Sequence, residues 1–124
     1  MADKMNLSKE TSSKLDHLSA RLDLRRNIIT RIAIGRSFSM ESPVETEVSN
    51  DRGGYEFNRP TVMGSDEYIF RAIATNIQGY AISDDIFFNI VIRNHVERGI
   101  QSLHDEYNQI NSPVQFIERL IGQK

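Results

Sequence analysis

The sequence predicts a mainly α-helical fold with a ribbon-helix-helix-like N-terminal part, a short β-hairpin, and two or three further helices. Three observations predict this fold. Leucines recur at helical spacing after Leu7-Ser8, isoleucines crowd the segment directly behind, and capped apolar segments fill the last half. We expect one compact domain over residues 1–124, with the ribbon-helix-helix-like part in 1–40, an acidic loop and hairpin in 41–64, and a helical part in 65–124.

The first helix follows a short stretch of alternating polar and apolar residues. Ser8 can cap this helix, because its hydroxyl can accept a hydrogen bond from an unpaired amide of the first turn. One apolar face follows at spacings of four, three and four residues. That face consists of Thr11, Leu15, Leu18 and Leu22.

The second helix begins near Asp23 and must fold back on the first, because the joint at residues 21–23 is too short for a flexible linker. Its apolar residues cover more than one stripe of the helix. They are Ile28, Ile29, Ile32, Ala33, Ile34 and Phe38. A helix that is apolar on two sides contacts its own domain and a second surface, so we interpret this helix as an oligomer contact.

Residues 39–54 are acidic, contain Pro43 and Gly53-Gly54, and lack a helical period, which predicts a loop. Residues 55–57 then alternate, 58–60 offer a turn, and 61–63 continue, which predicts a hairpin with Arg59 exposed at its tip. Turn chemistry accounts for most of this segment, and a binding surface is the alternative.

The last half of the sequence is helical. Ser65 and Ser83 each precede acidic residues and an apolar period, so each is predicted to cap a helix. The first of these two helices ends at Gly79; the second ends near Gly99 or extends as far as Ile110.

A last helix follows at Ser112-Pro113, where a cap precedes a proline at the first helical position. Its inward-facing residues are predicted to be Phe116, Ile117, Leu120 and Ile121.

Charge is distributed unevenly along the chain, although the net charge is only -2. Residues 1–40 hold eight basic and four acidic residues, and the remainder holds seven basic and thirteen acidic residues. Such asymmetry indicates nucleic-acid contact on the basic part. Solvated helix faces are the alternative explanation.

Arginines open the second helix, where free amides and the positive end of the helix dipole favour a phosphate. Asn27 could donate at the same place, and lysines near the ribbon would follow phosphates rather than read bases. Lys4 and Asn6 are the polar side chains best placed to read bases. The candidate DNA-binding residues are Lys4, Lys9, Lys14, Arg25, Arg26, Arg31 and Arg36.

The sequence lacks the residues that several classes of functional site require. The absence of cysteine excludes disulfides, thiolate metal sites and persulfide chemistry. His17, His95 and His104 lack metal-ligand spacing, so we interpret them as structural or solvent-facing. Neither a P-loop nor a nucleophile elbow is present, so the sequence supports neither an enzyme nor a cofactor. Without a signal peptide or a membrane-spanning run, we expect a cytoplasmic protein and no membrane partner.

Three segments in order resemble the DndE family: Leu24 to Ser37, Glu56 to Thr61, and His95 to Gly99. DndE is the small component of the bacterial DNA phosphorothioation system, a system of the restriction-modification type. The resemblance implies a homotetramer that binds double-stranded DNA, prefers nicked duplex, and acts beside the sulfur-transferring proteins of that system. It implies no catalytic residue. The alternative function is a non-enzymatic scaffold that organises those partner proteins.

Overall fold

The computed structural model describes residues 3–110 and 113–122, and its fold is mainly α-helical, as predicted. The fold also contains a 3-10 turn over Gly64–Asp66 and a π-helical turn over Phe87–Ile92. The strands and α-helices are β1 (Lys4–Asn6), α1 (Lys9–Leu22), α2 (Arg26–Phe38), β2 (Glu56–Asn58), α3 (Arg59–Met63), α4 (Glu67–Gln78), α5 (Asp84–Ile86), α6 (Arg93–Asn108) and α7 (Pro113–Gly122).

The two strands form an antiparallel sheet in which Met5 lies opposite Phe57. The ribbon strand β1 therefore pairs with a distant segment of its own chain. Because side chains alternate between the two faces of the sheet, Met5 and Phe57 are buried and their neighbours in the strands are more exposed. This pairing holds the start of the chain against the segment that follows the acidic loop.

The prediction of a local hairpin over residues 55–63 is wrong. Strand β2 exists, but residues 59–63 form α3 rather than a returning strand. Pro60 explains the change, because it cannot donate to a strand ladder and its fixed φ suits the first turn of a helix. The amide of Arg59 instead donates to the Asp3 carbonyl at 2.8 Å, which extends the pairing with the N-terminal segment.

The cap of α1 is confirmed, because the Ser8 hydroxyl accepts a hydrogen bond from the Thr11 amide at 3.0 Å. Glu97 of α6 reinforces this cap. Its carboxylate accepts from the Ser8 amide at 2.8 Å, from the Ser8 hydroxyl at 3.0 Å and from the Thr11 hydroxyl at 2.7 Å. The first turn of α1 is thereby fixed to α6.

Helices α2 and α6 cross closely at Gly99. A Cβ atom on Gly99 would lie 1.9 Å from the Ala33 carbonyl oxygen, so only glycine allows this approach. On α2, the buried apolar residues are Ile29, Ala33, Ile34 and Phe38, whereas Ile28 and Ile32 are 42% and 38% exposed. The apolar surface of α2 thus faces the core on one side and solvent on another.

The boundaries of the later helices agree with the sequence in part. The Ser83 hydroxyl caps α5, and Gly79 ends α4 with a φ of 85°. Ser65 does not cap α4, because it lies inside the 3-10 turn and Asp66 stands at the cap position. The helical segment continues past Gly99 to Asn108.

In α7, Phe116 is buried as expected, but the predicted inward position of Ile121 is wrong because that side chain is 79% exposed. The predicted cap at Ser112 lies outside the described residues. Across the described ranges, no helix is long and apolar enough to cross a membrane.

Candidate nucleic-acid interface

A groove of about 400 Å³ runs along α1 where residues 53–55 pass beside the helix. We call it the α1 groove. It begins at the first turn of α1 and extends for about two helical turns, or roughly 10 Å. Its lining residues are Lys9, Ser12, Ser13, Asp16, Gly53, Gly54 and Tyr55.

Gly54 makes the groove possible because the loop backbone touches the start of α1. The Gly54 amide donates to the Leu7 carbonyl at 2.8 Å, and the Tyr55 amide donates to the Ser12 hydroxyl at 2.8 Å. A Cβ atom on Gly54 would lie 2.1 Å from the Ser12 hydroxyl oxygen. The glycine pair therefore brings the loop onto the helix.

Two of the seven predicted DNA-binding residues have free side-chain charges. Among the described residues, no carboxylate pairs with the Lys9 ammonium or the Arg25 guanidinium, and both residues are exposed, although the Lys9 amide donates to Asp51 Oδ1 at 3.4 Å. Lys9 lies at one end of the α1 groove, and Arg25 occupies the N-cap position of α2 without a side-chain cap bond. Both cations are open to an anion from solution.

Arg52 is a third exposed cation that pairs with no acid in the described part of the chain. Arg52 is not one of the seven predicted DNA-binding residues. It lines a small cleft with Ser49 and Arg93 and is not among the residues that line the α1 groove. Lys9 is therefore the cation that lines the α1 groove itself.

Lys4 and Arg26 form exposed ion pairs. Lys4 pairs with Glu56 at 3.3 Å, and Arg26 pairs with Asp16 at 2.8 Å. All four side chains are about half exposed, between 46% and 51%. Exposed pairs contribute roughly 0–1 kcal/mol, so neither pair prevents its cation from binding a phosphate.

The remaining three candidates are held more firmly. Lys14 pairs at 3.0 Å with the carboxylate one turn earlier and also contacts α6. Arg31 joins α2 to Asp66 at 2.8 Å, and Arg36 pairs at 2.7 Å with Glu106, whose side chain is only 7% exposed. These cations fasten helices to one another, so the available positive charge lies at the amino ends of α1 and α2.

The predicted exposure of Arg59 is wrong. This side chain is buried, with Nε 2.7 Å from Glu67 and Nη2 2.8 Å from Asp84. Its hydrogen bonds lower the pKa of both carboxyl groups, and Arg71 adds to the effect at Asp84. Arg59 therefore joins α3 to α4 and α5 and is not a binding residue at a hairpin tip.

The three histidines lie in two places. His17 Nδ1 and His104 Nε2 are 3.0 Å apart between α1 and α6. His95 is fully buried, its Nδ1 lies 2.8 Å from the Ser37 hydroxyl, and burial together with nearby Arg98 lowers its pKa to about 4. Within the described ranges, no group of three or more potential ligands could hold a metal ion.

A cleft of about 650 Å³ lies between residues 43–49 and α6. Its two arginines are already occupied. Arg93 donates to the Asn6 carbonyl at 3.0 Å, and Arg98 donates to the Ser37 and Ser42 carbonyls at 3.0 and 2.8 Å. These bonds hold the acidic loop against α6, so the cleft is a weaker candidate for an anion than the α1 groove.

Residues 4–111 match the model of the family described as DNA sulphur modification protein DndE. The chain belongs to the DndE family. Its fold is similar to the crystal structure of DndE from Escherichia coli B7A, a protein involved in DNA phosphorothioation modification. That likeness has a TM-score of 0.63 at 22% identity and covers 82% of this chain and 96% of the other.

No curated protein sequence matches the chain at a significant level. The family match is therefore the finding that assigns the chain a role in DNA sulphur modification, and the likeness to the Escherichia coli protein concerns the fold. Helix α7 begins beyond the last residue matched by the family.

Proposed function

We propose that this DndE-family chain is a non-enzymatic DNA-binding subunit of the phosphorothioation machinery. Its basic side chains contact the phosphate backbone of double-stranded DNA. The leading contacts are Lys9, Arg25 and Arg26, with Lys4 and Arg52 at the edges. Lys14, Arg31 and Arg36 are secondary candidates, because their own side chains are only 19%, 35% and 22% exposed and already form ion pairs.

One observation carries this proposal: the amino ends of α1 and α2 present exposed cations without carboxylate partners among the described residues. Lys9 lies in the first turn of α1, and Arg25 directly precedes the first turn of α2. The helix dipole adds partial positive charge at the uncapped start of α2, whereas Ser8, Glu97 and Asp51 already occupy the first turn of α1. Phosphate contacts of this kind supply affinity without sequence choice, and they weaken as salt increases.

A preference for nicked duplex would arise because nicked DNA bends more easily when it binds. A nick adds no base pattern, but it makes the duplex easier to bend. The α1 groove is short and has one lining cation, Lys9, whereas Arg25 and Arg26 stand at the start of α2, so a duplex that bends at a nick can bring phosphates to both helices. An intact duplex would need more bending energy to make the same contacts.

The test measures fluorescence anisotropy on nicked and intact duplexes of one sequence over a range of salt concentrations. The wild-type chain should bind both and bind the nicked duplex more tightly. Lys9→Gln with Arg25→Gln should weaken binding and reduce the slope of log K against log salt by about 2. No binding of either duplex by the wild type would overturn the proposal.

A matched control removes the same charge elsewhere. Arg71→Gln with Arg119→Gln also lowers the net charge by two, and neither residue contacts the α1 groove. This control should keep most of the affinity and the salt slope. An equal loss in both double variants would mean that binding depends on net charge and not on the groove.

We also propose that the chain assembles as a homotetramer through a second copy packed on α2 and α4. Ile28 and Ile32 of α2 and Ile69 and Ile73 of α4 are exposed apolar side chains, and Tyr68 is 74% exposed. Burial of such side chains favours association. Light scattering should give four times the chain mass of 14.2 kDa. Ile32→Glu should reduce that mass, and a wild-type monomer at micromolar concentration would contradict the proposal.

The second candidate function is a scaffold for the sulfur-transferring proteins. The acidic loop favours it, because the carboxylates of Glu41, Glu45 and Glu47 make no hydrogen bond or ion pair within the described residues. A cellular assay separates the two functions. If the Lys9→Gln, Arg25→Gln chain no longer binds DNA but still supports phosphorothioation, the scaffold is the working function.

A further inference from the structure

Asp16, Arg26 and Tyr55 form a connected cluster at the end of the α1 groove opposite Lys9. Arg26 donates through Nε to Asp16 Oδ1 at 2.8 Å. The Tyr55 hydroxyl donates to the same carboxylate, at 2.9 Å from Oδ1 and 2.8 Å from Oδ2. The Arg26 guanidinium also lies over the Tyr55 ring, 4.5 Å from its centroid.

This cluster holds the guanidinium of Arg26 in one orientation. The carboxylate fixes its Nε, and the ring supports its plane, so rotation about the long side chain is restricted. The hydrogen bonds to Asp16 do not involve Nη1 or Nη2. Those two atoms form the forked edge that binds two phosphate oxygens at once.

Exposure and charge agree with this arrangement. The Arg26 side chain is 51% exposed although it is bound to both Asp16 and Tyr55. The hydrogen bond that Arg26 donates to Asp16 raises the pKa of Arg26, so the guanidinium keeps its charge. A guanidinium that is oriented before binding loses less side-chain entropy when it meets its ligand.

We infer that Asp16 is a positioning residue for phosphate: it holds Arg26 through Nε so that Nη1 and Nη2 face the DNA backbone and bind one phosphate bidentately. The inference rests on the proposed function. Tyr55 supports the same geometry from the other side, by its hydroxyl on Asp16 and its ring under Arg26. The phosphate is that of a DNA strand lying along the α1 groove.

If Asp16 contributed only its negative charge, its removal should strengthen binding to a polyanion by Coulomb attraction. The positioning role predicts the opposite change in affinity. If Asp16 positions Arg26, Asp16→Ala should instead weaken binding to nicked duplex by about tenfold and reduce the salt slope by about 1. Asp16→Asn keeps an acceptor oxygen for Nε, so it should recover part of the lost affinity.

A matched control is Asp85→Ala, which removes an exposed acid whose carboxylate pairs with nothing else in the described ranges and does not line the α1 groove. This variant should bind as tightly as the wild type or slightly more tightly. Circular dichroism melts show whether each variant is folded. Asp16→Asn keeps the test informative if Asp16→Ala melts early.

A double-mutant cycle with Arg26 completes the experiment. Arg26→Ala should weaken binding about as much as Asp16→Ala, and the double variant should bind no more weakly than Arg26→Ala alone. If the wild type binds and Asp16→Ala binds equally or more tightly, the positioning role is wrong and the proposed function stands. If the wild type binds no duplex, the proposed function fails, and the positioning role fails with it.

Discussion

Acidification should destabilise the folded chain through His95. This side chain is fully buried, and burial together with Arg98 lowers its pKa from 6.5 to about 4. The folded state therefore keeps the ring neutral, whereas the unfolded chain binds a proton below about pH 6.5. The stabilisation is fully present above that pH and is lost as pH falls toward 4.

The magnitude follows from the two pKa values. Between about pH 7.5 and pH 5, proton binding by the unfolded state lowers the free energy of unfolding by about 2 kcal/mol through His95 alone. Urea denaturation at both pH values measures this loss. His95→Asn is the comparison, because its amide can face Ser37, which lies 2.8 Å from His95 Nδ1, and does not titrate.

All groups other than residue 95 contribute equally to the pH dependence of both proteins and cancel in the difference. The wild type should lose about 2 kcal/mol more than His95→Asn over this pH range. If both proteins lose the same free energy, His95 either titrates normally or is accessible to protons in the folded state, and the reasoning from burial is refuted.

Three stability predictions concern contacts between elements. Gly99→Ala should lower the free energy of unfolding by about 3 kcal/mol or more, because the new methyl group meets the Ala33 backbone; an unchanged urea midpoint would contradict the helix crossing. Ser8→Ala should lower the free energy of unfolding by about 1 kcal/mol, because the cap of α1 is lost. Ser13→Ala is the control, because Ser13 is exposed and makes no hydrogen bond among the described residues, and it should have almost no effect. Equal urea midpoints for the two variants would contradict the role of the cap. Arg59→Met should cost about 2 kcal/mol at neutral pH and less in acid, where Glu67 and Asp84 become protonated although Arg59 lowers the pKa of both; a pH-independent cost would contradict the ion-pair account.

Local signals predicted much of the helical structure. Ser8 and Ser83 are caps, and Gly79 ends a helix, because a cap depends on a few neighbouring residues. The strand pairing depends on residues about fifty positions apart, so the alternation at 55–57 could predict a strand but not its partner. Pro60 was a usable signal for a helix start and was interpreted as a turn.

The candidate site was predictable in outline and not in detail. Sequence spacing placed basic residues in the first two helices, and the fold then sorted them by their partners. Arg36 meets Glu106, which lies seventy residues later, and Arg59 meets Glu67 and Asp84; only the tertiary packing brings these groups together. The α1 groove itself depends on Gly54, which brings a loop from more than forty residues later onto α1.

The most direct test of the proposed DNA contact is lysine acetylation footprinting of the wild-type chain with and without saturating nicked duplex. Lys9 is exposed and unpaired at the α1 groove, whereas Lys14 is 19% exposed and bound to its neighbours. The account predicts that DNA strongly protects Lys9 and leaves the reactivity of Lys14 nearly unchanged. Unchanged reactivity of Lys9 under saturating duplex would contradict the placement of DNA along the α1 groove.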